Sequence, residues 1–416
     1  MLDLLIGMKV IEIAGFMAAP TAGRILGEWG ADVIKVEPPQ GDSTRGVGIS
    51  RHILNGDQAG FDCFNACKKY VALDTRKPEG MEILKKMLKD ADVFISHLKI
   101  KDAIKLGLDY ETLKEKYPKL ICASTSGYGL GGAWSTRGGF DGVSYAARCG
   151  YVKDCPVEGD TPMVPYFGFG DIPTGTYLAM AILAAYIRQQ RTGQGEKINV
   201  ALMHAGMWSA NVPIVSSLYG DQYPTDPNTV HPLAKPYLCK DGKWIGLMGL
   251  DWQKTWPVFV KAVGLPEEYI TNWVAYEDAL AHAQEITPIL KDMFLKEDRQ
   301  YWVDKLIDTP MPFDICQDFK DLQGDQQAWD AGFFQGIDYP SGMHVGIVKA
   351  PAVFKEAGTA EFNSAGPVGE STRDVLKGLG YSDADVDRMR EERLILEGDQ
   401  WDPQIYNMER FMKRQK

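Results

Sequence analysis

Residues 165 to 187 read PYFGFGDIPTGTYLAMAILAAYI, and one carboxylate, Asp171, stands between a run of glycines and aromatics and an almost wholly apolar segment. Two kinds of chemistry suit an acid in that place. Just ahead of Pro173 it fits the start of a helix, where Asp as N-cap contributes about 0.5–2 kcal/mol over Ala. The same helix end favours a negative charge, so the carboxylate is expected to be ionised at neutral pH, while Gly168 and Gly170 leave room beside it for a bulky electrophile. An ionised, open carboxylate is what a carboxylate nucleophile requires. Spacing alone leaves both readings standing.

The elements around Asp171 alternate strand and helix. KVIEIA (9–14) and DVIKVE (32–37) read as strands around the helical PTAGRILGEWG (20–30), and YVALD (70–74), DVFIS (92–96) and LICASTS (120–126) follow, separated by helical segments. Such spacing implies right-handed crossovers and a mostly parallel sheet. The first turn, EIAGFMAAPTAG, lacks GxGxxG, so the topology is that of a Rossmann-like fold without its pyrophosphate-binding glycines. No GxxxxGK[ST], GxSxG or HExxH is present. Residues 173–190 are expected to form a long buried helix. A Pro- and Asp-rich stretch at 220–235 reads as a linker, PYLCKDGKWIGLMG as a hairpin, and the tail beyond about 335 as a return to the first domain.

At 416 residues two domains are the expectation, because single cores stop growing at roughly 250–300 residues. The boundaries read as 1–224 for the first part of a large domain, 225–332 for a small α/β domain and 333–416 for the returning segment. A net charge of −11, with acids and bases interspersed, argues against nucleic acid or membrane surfaces as partners and requires any anionic ligand to find a local basic site. The longest apolar run, Tyr177 to Ile187, is too short to span a bilayer, and no leader pattern precedes the first strand. Seven scattered cysteines fit reduced thiols and a cytoplasmic location. Cys63 and Cys67 lack a partner pair for zinc, so no metal is expected.

Taken in order, GMKVIEIAGFMAAPTAGRILGEWGADVIKVEPPQGDSTRG, KKYVALDTRKPEGMEILKKMLKDADVFI, PKLICASTSGYGLGG, GFGDIPTGTYLAMAILAAYIRQQRTGQGEKINVALMHA and VLKGLGYSDADVDRM resemble the successive signatures of the family III CoA-transferases. LGLDYETLKEKYPKL further resembles the branch acting on (R)-2-hydroxy acids such as phenyllactate or 2-hydroxyisocaproate. The resemblance implies a Rossmann-like large α/β domain built from both chain ends, an inserted small α/β domain, and a homodimer of interlocked chains. It implies no permanently bound cofactor, coenzyme A thioester as substrate, and Asp171 as the nucleophile that forms aspartyl anhydride and aspartyl-CoA intermediates. For the CoA site it points to Met17 and Ala18 after the first strand, Arg45 of GDSTR, the pair Lys68 and Lys69, His97, Lys105, and Tyr128 of SGYG. Formyl-CoA transferase, a member of that family, carries Gln at the position of Met17, and the family's glycine loop falls on Gly246 to Trp252, where this chain departs from it.

Two alternatives remain at this point. The related α-methylacyl-CoA racemases abstract a proton using a His that immediately precedes an Asp; this chain has Phe140 before Asp141, and a phenyl ring is no general base. If Asp171 were only a cap, the chain would be a non-catalytic CoA- or nucleotide-binding subunit.

Overall fold

The structure is a computed structural model that describes residues 4–46 and 57–400. Its described strands are β1 (Lys9–Ile13), β2 (Asp32–Glu37), β3 (Lys69–Leu73), β4 (Val93–Ser96), β5 (Ile121–Ser126), β6 (Lys197–Ala201), β7 (Pro236–Leu238), β8 (Trp244–Leu247), β9 (Phe313–Ile315), β10 (Phe334–Asp338), β11 (His344–Val348) and β12 (Ile395–Leu396). Seven of them form one sheet in the order β12-β3-β2-β1-β4-β5-β6. The pairings among β1 to β6 are parallel, and only β12 runs antiparallel, against β3.

A parallel sheet must be covered on both faces, which is why its strands read as nearly continuous apolar runs. On one face lie α1 (Ala18–Glu28) and the long helix Asp171–Thr192, burying Leu26, Leu178 and Ile182 against Val10 and Ile95. On the other, Ile83, Leu84 and Leu88 of the helix Pro78–Lys89 meet Leu376, Val386 and Met389 from the C-terminal helices Thr372–Gly378 and Asp383–Glu391. Both chain ends therefore build this sheet. Strands β2 and β3 lie to one side of β1, and β4, β5 and β6 to the other, so the order reverses between β1 and β4. Ligands of open α/β sheets settle at such a reversal, beyond the carboxyl ends of the strands.

Within the described residues the chain divides into two compact units. One comprises residues up to Cys149, Val164–Ile214 and those from Gln327 onward; the other comprises Gly150–Met163 and Val215–Gln326. The second unit holds the antiparallel sheet β7-β8-β9, with β7 and β8 joined through Gly242 at φ +75°. Its core stacks Trp252 on Trp256 at 4.4 Å and closes over Phe259, Phe294 and Tyr237. After β8, a Cβ on Gly249 would lie 2.8 Å from Met311 Sδ, so the glycine there is set by core packing. No helix among the described residues is long and apolar enough to cross a membrane.

Candidate active site

Asp171 is the first residue of its helix, with Gly170 as the N-cap. Its carboxylate makes no cap hydrogen bond, and the described residues give it neither a hydrogen bond nor an ion pair. Glycines place it. Gly168 has φ +85°, a conformation that strains any other residue. A Cβ on Gly170 would fall 2.4 Å from Cγ of Tyr145, and one on Gly175 would fall 2.3 Å from the Ala18 carbonyl oxygen. These close approaches seat the start of the long helix against the β1–α1 turn, where Met17 Sδ lies beside Gly168. That turn is itself held in an uncommon shape, with Phe16 at φ +60° and its ring edge-on to Phe140 at 5.5 Å.

Asp141 opens a π-helical segment, Asp141–Ala147, a rare element that recurs at functional sites. Its Oδ1 accepts the Gly142 N–H at 2.7 Å, and Oδ2 lies 3.5 Å from the Gly170 nitrogen. Burial, and then the Asp141 charge, push the Asp171 carboxyl from its ordinary 3.8 up to about 7. The sequence reading expected full ionisation at neutral pH from the helix terminus alone. Desolvation and a neighbouring acid outweigh that terminus.

The residues expected around CoA divide into two groups. Met17 and Ala18 follow β1, His97 follows β4 and Tyr128 follows β5, all at carboxyl ends beside the strand-order reversal. The Gly15 N–H donates to His97 Nδ1 at 3.1 Å and ties the β1 and β4 ends together. Desolvation, with the Lys35 charge, holds His97 below its ordinary pKa, and so neutral with its proton on Nε2. Lys105 is exposed on the helix Ile100–Leu106, with no acid within ion-pair distance among the described residues.

Arg45, Lys68 and Lys69 do not join them. Arg45 is an internal tie: its Nε contacts Glu37 at 2.9 and 3.1 Å, Nη1 donates to the Gly366 carbonyl and to Gln58, and its guanidinium lies 4.0 Å from the Phe61 ring centre. Lys68 is wholly buried, with Nζ donating to both Glu12 oxygens at 3.0 and 2.8 Å, to Asn65 Oδ1, and to the Pro20 and Phe64 carbonyls. Desolvation brings it down to about 8. Lys69 starts β3, at the opposite end of the strands from the reversal, and pairs on the surface with Asp32 at 2.7 Å. Lys35 completes the internal cluster through Glu12 and Asp42 at 3.0 and 2.9 Å and through the Ala14 carbonyl. Buried charges of this kind hold the β1–α1 turn from below.

Sequence reasoning missed a second group, in the segment that carries Asp141. Gly127 and Gly139 backbones touch, a Cβ on Gly127 falling 2.9 Å from the Gly139 Cα, which brings Tyr128 beside that segment. Tyr128 meets Trp134 edge-on at 5.2 Å, and the guanidiniums of Arg137 and Arg148 lie 4.7 and 4.4 Å from the Trp134 ring centre. Two arginines and a tryptophan within fifteen residues of a candidate catalytic acid were the available signal. Among the described residues no group of His, Cys, Asp and Glu could hold a metal ion.

The model of the family described as CoA-transferase family III matches residues 5–372. The (R)-2-hydroxy-4-methylpentanoate CoA-transferase of Clostridioides difficile is 34% identical over 94% of this chain and 99% of its own. The cinnamoyl-CoA:phenyllactate CoA-transferase of Clostridium sporogenes is also 34% identical, over 94% of this chain and 97% of its own. A solved structure of a CaiB/BaiF family protein from Brucella suis, 28% identical, covers 90% of this chain and 98% of its own with a TM-score of 0.77. Matched from near its start through its returning C-terminal segment, the chain belongs to CoA-transferase family III and is an enzyme, a CoA-transferase.

Proposed function

We propose that this enzyme moves CoA from an acyl-CoA to a 2-hydroxy carboxylic acid, with Asp171 as covalent carrier. One observation carries the proposal: a half-buried carboxylate at the carboxyl-end crevice has no structural partner among the described residues to explain it. A carboxylate oxygen of Asp171 attacks the thioester carbonyl, the C–S bond breaks, and CoA leaves as thiolate from a mixed anhydride. The thiolate then attacks the aspartyl carbonyl, the anhydride C–O bond breaks, and the donor acid departs, leaving aspartyl-CoA. The acceptor carboxylate attacks that thioester and expels CoA thiolate, which takes the new acyl group from the second anhydride and frees Asp171. Each bond broken is replaced by one of similar energy, so no nucleotide triphosphate is needed. Met17, Ala18, His97, Tyr128 and Lys105 are the residues we assign to the CoA ester, with Lys105 offering a charge-assisted contact to phosphate. The Phe140 ring packs on Phe16 and offers no base, which supports transfer over racemisation.

The acid class rests on the two relatives named for (R)-2-hydroxy-4-methylpentanoate and phenyllactate. Purified enzyme given acetyl-CoA or cinnamoyl-CoA and a panel of acids is expected to form 2-hydroxyacyl-CoA by mass spectrometry. Transfer confined to dicarboxylates such as succinate or glutarate would overturn that assignment.

A pH dependence follows from the raised carboxyl. Asp171 attacks in its ionised form, so kcat/KM for the acyl-CoA is expected to rise about tenfold per pH unit below about 7 and to level off above it. Asp141→Asn removes the like charge, lowers the Asp171 pKa and moves this limb to lower pH. An unmoved limb in that variant would show that the two carboxylates are not coupled.

We also assign a homodimer of interlocked chains. Val164, Trp208 and Val212 are each at least 66% exposed, large apolar side chains in one unit that suit a partner surface. Tagged and untagged dimers are expected not to exchange subunits on dilution; rapid appearance of mixed dimers would contradict threading.

A further inference from the structure

We propose that Arg137 and Arg148, stacked on Trp134, form the seat for the carboxylate of the acid substrate, with the adjoining depression taking its hydrocarbon body. The inference rests on the CoA-transfer reading and names where its second substrate binds.

Both guanidiniums lie over one indole, at 4.7 and 4.4 Å from its centre, and Arg137 also reaches to 5.6 Å over Tyr128. Among the described residues neither guanidinium has a hydrogen bond or an acid within 4 Å, although the chain as a whole carries eleven more acidic than basic side chains. Two cations held over one indole repel each other, and an anion close to both lowers that repulsion. A cation–π contact uses none of the guanidinium N–H groups as donors to another residue, and their fork geometry matches a carboxylate or phosphate bidentately.

The surroundings choose between those two anions. Tyr128, which touches Trp134 and Arg137, also lines an open depression of ≈ 540 Å³ whose other walls include Leu130, Met203 and Met207 together with Asn199 and His204. An anionic head beside an apolar body describes a branched or aryl carboxylic acid, whereas the phosphates of CoA are joined to ribose and other polar groups. The position also suits an acid that must meet aspartyl-CoA. Arg137 and Arg148 flank Asp141 in the sequence, Asp141 Oδ2 lies 3.5 Å from the Gly170 nitrogen next to Asp171, and Arg148 is the C-cap of the π-helical segment that Asp141 opens.

Arg137→Gln, Arg148→Gln and the double variant test this, with (R)-2-hydroxy-4-methylpentanoate as acid and circular dichroism to confirm folding. Exchange of labelled CoA into acyl-CoA needs only Asp171 and the donor, so it separates the two substrate sites. The expected result is a KM for the acid raised tenfold or more in each single variant and further in the double, with the exchange rate and the KM for acyl-CoA unchanged. Arg→Lys at either position keeps charge and loses the fork, and is expected to fall between wild type and Gln. An unchanged KM for the acid overturns the proposal. So does a raised KM for acyl-CoA that disappears with dephospho-CoA esters, which would assign the pair to a CoA phosphate. If the wild type shows neither exchange nor transfer, the CoA-transfer reading fails instead; calorimetric titration of the acid alone, bound by wild type and lost in the double variant, still decides whether the seat exists.

Discussion

Asp171→Asn is expected to abolish CoA transfer, by a factor on the order of 10⁴ or more as for other lost nucleophiles, while the fold stays intact. A neutral amide cannot form the anhydride. Nothing structural is lost with the charge, because the carboxylate makes no cap hydrogen bond. Stability carries a signature of its own. The folded-state carboxyl titrates at about 7 against an ordinary 3.8, so the folded protein holds a proton that the unfolded chain has released between those values. The contribution of Asp171 to wild-type stability therefore falls as pH rises through about 4 to 7, and Asp171→Asn escapes that loss. The variant is expected to match or exceed the wild-type Tm at pH 8 and to lose that advantage towards pH 4. Appreciable residual turnover, or a Tm well below wild type at pH 8, would mean that Asp171 serves the helix and not the chemistry.

Lys68→Met is expected to destabilise the fold by about 3–5 kcal/mol, the usual consequence of stripping one partner from a buried ion pair. Lys68 and Lys35 together balance Glu12 and Asp42 inside the molecule. Removing Lys68 leaves two buried acids with one cation and takes away the donor it offers to Asn65 Oδ1 and the Phe64 carbonyl. Lys105→Ala provides the contrast, with an unchanged Tm and a KM for acyl-CoA raised about tenfold, the scale of one charged hydrogen bond. Denaturant titration of both variants beside acyl-CoA kinetics makes the comparison. Native stability in Lys68→Met with weakened acyl-CoA affinity would return Lys68 to the substrate site.

That contrast shows where the sequence was legible. Apolar runs of strand length separated by helices disclosed the parallel sheet, and Gly-Asp-Ile-Pro disclosed the helix that begins at Asp171. VLKGLGYSDADVDRM disclosed the returning helices that cover the sheet. Cations near the first strands were harder to place, because a lysine written in a motif looks the same whether it faces a phosphate or an internal acid. One signal did separate them: Glu12, Lys35 and Glu37 interrupt strands that are covered on both faces, so their partners had to come from inside. Lys68 and Arg45 are among those partners. The raised pKa of Asp171 had no local signal, since it depends first on how deeply the site is enclosed and then on Asp141 from a separate segment. Arg137 and Arg148 lie eleven residues apart with the π-helical segment between them, and no spacing rule would place both over one indole.

The central claim is that Asp171 carries the acyl group and CoA covalently, and trapping tests it most directly. Wild-type enzyme incubated with an acyl-CoA and quenched with hydroxylamine or borohydride is expected to show modification of Asp171 alone in peptide mass spectra. A label on Asp141 or any other carboxylate, or none under conditions of active turnover, would contradict the account.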